Sequence, residues 1–224
     1  MENNSYQLIV LIATPKLVDT AAELFLKRNL PIQYRLTAVG TASSEIINTL
    51  GFGSIDKGIL ISTVPKKFGK QMLWILHNEL RLDTINSGIA FTISLTATSK
   101  LLLKMMQKIE NIEITDNKKG DSIVNENYTL IAAIVDRGFG TDVMDVAREK
   151  GAGGGTIIHS RAIENEDATG FWGLSVQEEK EIVLIIADHD IKVDIMSAIS
   201  GKFGMQSEAK GLVISLPVDS LMGI

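Results

Sequence analysis

Apolar residues fall into short continuous runs along this chain, broken by stretches with helical spacing. Runs such as Leu8–Ala13 and Ile182–Ala187 have the length of strands buried on both faces. A spanning helix needs about 20 apolar residues, so no segment is expected to cross a membrane. Two stretches carry the periodicity of amphipathic helices in the first half, Leu17–Arg28 and Lys66–Leu80. In the second half, Thr141–Lys150 and Ile191–Ser200 do the same, with Asp190 as the expected cap of the latter. Gly151 and Asn29 stand just past two of these helices, where a left-handed residue usually ends a helix. Strands are expected at Thr129–Val135, Thr156–Ala162, Lys180–Ala187 and Leu212–Val218.

The pattern occurs twice. Tyr6-Gln-Leu-Ile-Val-Leu-Ile reads like Tyr128-Thr-Leu-Ile-Ala-Ala-Ile. Lys57-Gly-Ile-Leu-Ile reads like Lys180-Glu-Ile-Val-Leu, and Ser87-Gly-Ile-Ala-Phe-Thr-Ile reads like Lys210-Gly-Leu-Val-Ile-Ser-Leu. The offset is nearly constant and the order of the blocks is kept, which means a duplicated domain rather than a solenoid. Each copy has about 95 residues, enough for a small core. The order strand, helix, strand, strand, helix, strand is the split βαβ pattern. The expected fold is therefore α+β: two tandem ferredoxin-like (βαββαβ) domains, each a four-stranded antiparallel sheet with two helices on one face. The expected division is residues 1–98, a short helix from Ser99 to Ile109 and a polar linker within 99–127, and residues 128–224. Consecutive apolar strand positions leave the other sheet face in need of cover, which implies a homo-oligomer, a trimer or a dimer.

Composition narrows the function. Lys and Arg number 22 against 27 Asp and Glu, a net charge of −5 with no basic block, which argues against a nucleic-acid partner. There are no cysteines, which removes disulfides, thiolate metal sites and a Cys nucleophile. The polar start, Met1-Glu-Asn-Asn-Ser-Tyr-Gln7, does not read as a signal peptide, and a cytoplasmic location is expected. No Ser-His-Asp or G-x-S-x-G arrangement is present, so the chain is not expected to be an enzyme. His159 follows a Gly-rich turn, His77 lies on a helix, and Asp188-His-Asp190 reads as a helix cap rather than a metal site. The segment Gly151-Ala-Gly-Gly-Gly-Thr156 follows a helix and enters a strand, the reverse of a phosphate loop, so its first reading is a tight αβ turn. The connections 40–56 and 163–179 are long for a compact domain, which points to function. The second carries Phe171 and Trp172, a candidate partner contact.

The second copy resembles the P-II nitrogen regulatory protein family. The resemblance rests on Gly151-Ala-Gly-Gly-Gly-Thr-Ile-Ile-His-Ser-Arg161, on Lys180-Glu-Ile-Val-Leu-Ile-Ile186 and on Ser215-Leu-Pro-Val-Asp219. The first copy is similar mainly through the repeat. The resemblance implies a signal-transduction protein that binds a small effector, a candidate adenine nucleotide, and regulates a protein target through its inter-strand loops. By position it marks Gly154, Thr156 and Gly211 as ligand contacts, with the Gly88 counterpart in the first copy. His159, Arg161 and Lys210 join them as nearby polar or basic groups. No other cofactor and no metal is implied. Several positions depart from the family: the lysine of its Gly-Asp-Gly-Lys turn is Leu212 here, the first copy has Ile89 at that place, a lysine just before the third strand is Glu178, an arginine position falls on Gly223, and the family's modifiable tyrosine is absent from both loops. The alternative is therefore a ligand-free oligomeric interaction module that has lost the nucleotide site, in which Leu212 and Ile89 are buried.

Overall fold

The computed structural model describes residues 6–30, 33–41, 56–84, 87–96, 127–161 and 179–223. The expected helix from Ser99, the linker to residue 126, and Phe171 and Trp172 lie outside the described residues.

The chain divides into two units: Met1–Thr37, Asp56–Tyr128 and Pro217–Ile224 form the first, and Ala38–Ile55 with Thr129–Leu216 form the second. In the first unit, β1 (Tyr6–Ala13), α1 (Pro15–Lys27), β2 (Gln33–Gly40, whose residues from Ala38 on belong to the second unit), β3 (Asp56–Pro65), α2 (Lys66–Leu80) and β4 (Gly88–Ser94) follow one another. The strands lie in the order β2-β3-β1-β4, the arrangement of a ferredoxin-like sheet. β1 is central and pairs antiparallel with β3 (Ile9↔Ser62) and with β4 (Ile9↔Thr92). A further strand, β9 (Ser220–Met222), pairs antiparallel with β4 through Phe91↔Leu221. No strand is expected there from the sequence. Ile9, Leu11, Leu60 and Ala90 on one sheet face meet Val18, Phe25, Met72 and Leu76 from the two helices.

The second unit contains β5 (Tyr128–Asp136), α3 (Gly140–Glu149), β6 (Thr156–Arg161), β7 (Glu179–Asp188), α4 (Lys192–Phe203) and β8 (Leu212–Pro217). Its order is β8-β5-β7-β6, the same ferredoxin-like arrangement. β6 and β7 are antiparallel, from Thr156↔Leu184 to Arg161↔Glu179. The last residues of β2, Val39 and Gly40, pair with Ile157 and Thr156. Ile131, Ala133, Val183 and Ile185 form the sheet side of the core, and Val143, Met144, Ile195 and Phe203 the helix side. Each unit is thus mixed α/β with two helices on one face of its sheet.

Local signals locate the helix ends. Asn29 has φ +55° and Gly151 φ +94°, the left-handed termini expected past α1 and α3. The cap before α4 differs from expectation. Asp188, not Asp190, supplies the carboxylate: its Oδ1 accepts from the Asp190 N–H at 3.0 Å. This closes a 3-10 turn over His189–Ile191, and α4 starts only at Lys192. Both aspartates suit a cap, and the extra turn selects the earlier one.

Candidate functional site

The Gly-rich turn hangs from the end of α3. The Ala147 carbonyl accepts from both Lys150 N–H (3.0 Å) and Ala152 N–H (3.1 Å), and Arg148 O accepts from Gly151 N–H at 2.9 Å. Gly151 takes the left-handed conformation that this closure needs. At the far side of the turn, a Cβ on Gly155 would lie 2.8 Å from Met144 Sδ and 2.9 Å from Leu184 O, so the chain itself demands glycine there. Gly153 and Gly154 differ. Neither has a positive φ, and a Cβ on either would meet nothing within 4 Å. Two of the glycines therefore have no explanation in the packing of the described residues, and both are at least partly open to solvent.

Thr41, just past β2, is fastened to this turn. Its N–H donates to Gly155 O (3.1 Å), its Oγ1–H donates to the same oxygen (2.9 Å), and its Oγ1 accepts from Gly155 N–H (2.9 Å). The Arg148 guanidinium donates to the Thr41 carbonyl. Thr156, which opens β6, is buried.

The opposite end of β6 holds a second group of residues. His159 is 58% exposed, with Nδ1 3.6 Å from Glu181 Oε1. Glu181 pairs with His159 across the β6–β7 ladder, is buried, and accepts the Gly140 N–H on Oε2 at 2.8 Å. A carboxylate at the first turn of α3 is favoured by the partial positive charge there. One residue away on β7, Lys180 forms an ion pair with Asp136, and their side chains are only 11% and 6% exposed. The more exposed pair Arg137–Glu179 lies alongside. Arg161 pairs through its backbone with Glu179 and so belongs to this end of the sheet, although its side chain is outside the described residues.

Lys210 and Gly211 precede β8 at the same end, since Asp136 N–H donates to Ala209 O at 2.9 Å. Lys210 has φ +45°. Gly211 N–H donates to Phe203 O at 2.8 Å, and a Cβ at that position would collide with the same carbonyl. Gly88, in the first unit, has φ +139° and presses on Ile12 O. Close backbone approach accounts for both glycines without a ligand.

The sequence-predicted residues therefore do not form one cluster. Within the second unit, Gly154 and Thr156 lie at one end of β6, and Arg161, Lys210 and Gly211 lie at the other. The five residue steps of β6 separate them by about 17 Å. Gly88 belongs to the first unit. Sequence reasoning also missed Thr41, Arg148, Glu181 and the Asp136–Lys180 pair. The signal available for Glu181 and the Asp136–Lys180 pair was the charged triplet Glu179-Lys-Glu181 opening an otherwise apolar strand. Within the single chain Leu212 is 51% exposed and Ile89 half-buried. Among the described residues no group of three or more His, Asp or Glu side chains is placed to hold a metal ion. Among the same residues, no helix is long and apolar enough to cross a membrane.

No protein-family model matches the chain, and none of the curated proteins does. Among solved structures, the aspartate kinase from Synechocystis aligns over 95% of this chain and 43% of its own, at 8% identity and a TM-score of 0.32. The chain thus spans less than half of that enzyme's length. A microcompartment protein from Desulfitobacterium hafniense DCB aligns over 95% of this chain and 94% of its own, at 9% identity and a TM-score of 0.27.

Proposed function

We propose that this protein is a P-II-like regulator rather than an enzyme. On this reading it is a cytoplasmic homo-oligomer that binds a small effector, with an adenine nucleotide as the first candidate, and presents its inter-strand loops to a protein target. The observation that carries the reading is the pair Gly153 and Gly154. Glycine at a position with ordinary φ and free space costs about 0.4–1 kcal/mol relative to alanine through unfolded-state entropy. A group approaching the turn from outside would account for it, and the turn occupies the most family-like stretch of the sequence. The separation of Gly154 from Arg161 and Lys210 within one unit implies that a complete site draws its basic groups from another copy.

A second reading is a ligand-free interaction module. The Thr41 contacts favour it, because they already satisfy the Gly155 N–H and C=O from within the chain.

Isothermal titration with ATP, ADP and 2-oxoglutarate, with and without Mg²⁺, separates the two. Under the regulator reading a nucleotide binds, Gly154→Val abolishes binding, and Arg161→Ala weakens it by about 1.5–3 kcal/mol through loss of a charged hydrogen bond. Binding unaffected by both variants removes this site, and no binding of any ligand favours the module.

A further inference from the structure

We propose that Lys57 is an acylation site, whose amine takes an acyl group from an acyl phosphate in preference to the exposed lysines of the chain. The inference is independent of any effector. Lys57 is the second residue of β3 and stands one residue past the end of the β1–β3 ladder, whose last pair is Ala13↔Gly58. Side chains alternate along a strand. A Cβ on Gly58 would lie 2.9 Å from Val18 of α1, so Gly58 faces the helices and Lys57 faces the other way. On that side its neighbours are Ile59 on its own strand and Ile12, the partner of Ile59 across the ladder, both buried. Asp56, the nearest carboxylate in sequence, alternates to the opposite side. Lys57 itself is half-buried. Among the described residues no carboxylate or hydrogen-bond acceptor holds its ammonium. Lys180 and Lys192 are also only partly exposed, but Asp136 holds the first and His189 Nε2 lies 3.1 Å from the second. Lys16, Lys27, Lys70 and Lys150 are exposed.

The chemistry follows from this placement. An ammonium drawn partly out of water, with no counter-ion, favours its neutral form. Burial lowers the pKa of Lys57 for that reason. The neutral amine is the nucleophile, and desolvation is one of the ways in which a protein activates a lysine. Its lone pair attacks the acyl carbon. The bond from that carbon to the phosphate oxygen breaks, phosphate leaves with the electron pair, and the proton of the amine passes to water. The product is an uncharged amide, so the reaction also removes a half-buried charge that nothing nearby offsets. A fully hydrated surface lysine has no such charge to relieve. The half-exposed side chain leaves the amine within reach of a small reagent.

Acetyl phosphate is the probe. The full chain is treated at about pH 7.5, where an ordinary lysine is only about 0.1% neutral, and mass spectrometry of its peptides follows each lysine with time. The expected result is that Lys57 is acetylated at least about threefold faster than Lys16, Lys27, Lys70 and Lys150. Each unit by which a pKa falls raises the neutral fraction about tenfold and, on the scale known for thiols, lowers nucleophilicity by about a factor of three. Lys57→Arg removes the fast site and leaves the rates at the other lysines unchanged. In concentrated urea, where the fold is lost, the five lysines react at one rate. A smaller lead for Lys57 in the folded chain, or none, overturns the proposal. A lead that persists in urea overturns it too, because it assigns the reactivity to the local sequence and not to the fold.

Discussion

The Asp136–Lys180 ion pair offers the sharpest test of the second unit's interior. Asp136 ends β5 and Lys180 opens β7, and the two side chains are 6% and 11% exposed. The Asp136 N–H donates to Ala209 O, which fixes the end of β5 beside the ion pair. Removing one partner leaves a buried charge without its counter-ion, which costs about 3–5 kcal/mol. Lys180→Met and Asp136→Leu should each lose that amount. This is a large part of the roughly 5–15 kcal/mol that holds a domain folded. The double variant Asp136→Leu/Lys180→Met removes both charges and their desolvation together, so it should return to within about 1 kcal/mol of the parent or exceed it. Urea unfolding followed by circular dichroism gives the stabilities, and hydrogen exchange in 128–136 and 179–188 locates the loss in this unit. Single variants that each cost less than about 1 kcal/mol would refute the reasoning, because that is the range of an exposed pair. A double variant equal to the sum of the singles would refute it too, since coupled partners do not add.

Glu181→Ala should cost about 2–3 kcal/mol by stranding the Gly140 N–H and removing a charged acceptor at the start of α3. Glu181→Gln keeps an acceptor and should cost less than the alanine variant in the same urea titration; equal losses would deny the role of charge. Gly155→Ala should destabilise through its contacts with Met144 and Leu184, whereas Gly154→Ala should be neutral or stabilising by about 0.4–1 kcal/mol. Thermal unfolding of the two alanine variants compares them directly, and a Gly154→Ala loss as large as that of Gly155→Ala contradicts the steric reading. Burial lowers the pKa of Lys57 from its ordinary value of 10.5. The stability linked to this lysine is therefore full above that value and is lost as pH falls through the folded pKa. Lys57→Met should raise the melting temperature at pH 7 and flatten the rise in stability of the parent between the folded pKa and 10.5. A lower melting temperature for Lys57→Met would show that its charge is compensated.

What could be read from the sequence was set by short-range rules. α2 starts at Lys66 and ends at Leu80, as its apolar spacing indicates, because helix periodicity and a left-handed residue at Arg81 act within one turn. The duplicated strand order was legible because the apolar blocks keep one spacing in both copies. The rest depends on partners far apart in the chain. Three residues of β9 become a strand only because β4 offers an edge, and nothing within Ser220–Met222 announces it. Glu181 caps a helix whose first residue lies some forty positions earlier, a choice made by the β6–β7 register. The site was half legible for the same reason. Motif position picks out Gly154 and Arg161, but only strand direction reveals that they occupy opposite ends of β6. Gly88 and Gly211 share the family's glycine positions, yet the carbonyls of Ile12 and Phe203 explain them as close backbone approaches.

Effector binding is the central claim, and thermal unfolding of the full chain against ATP, ADP, AMP, cyclic nucleotides and 2-oxoglutarate, each with and without Mg²⁺, tests it most directly. A ligand at about 100 times its Kd adds about 2.7 kcal/mol to the folded state. For a chain of this size that is a rise of about 5–10 °C. The regulator reading predicts a saturable rise of that order with one ligand of the panel, lost in Gly154→Val. An unchanged melting temperature across the whole panel would contradict it.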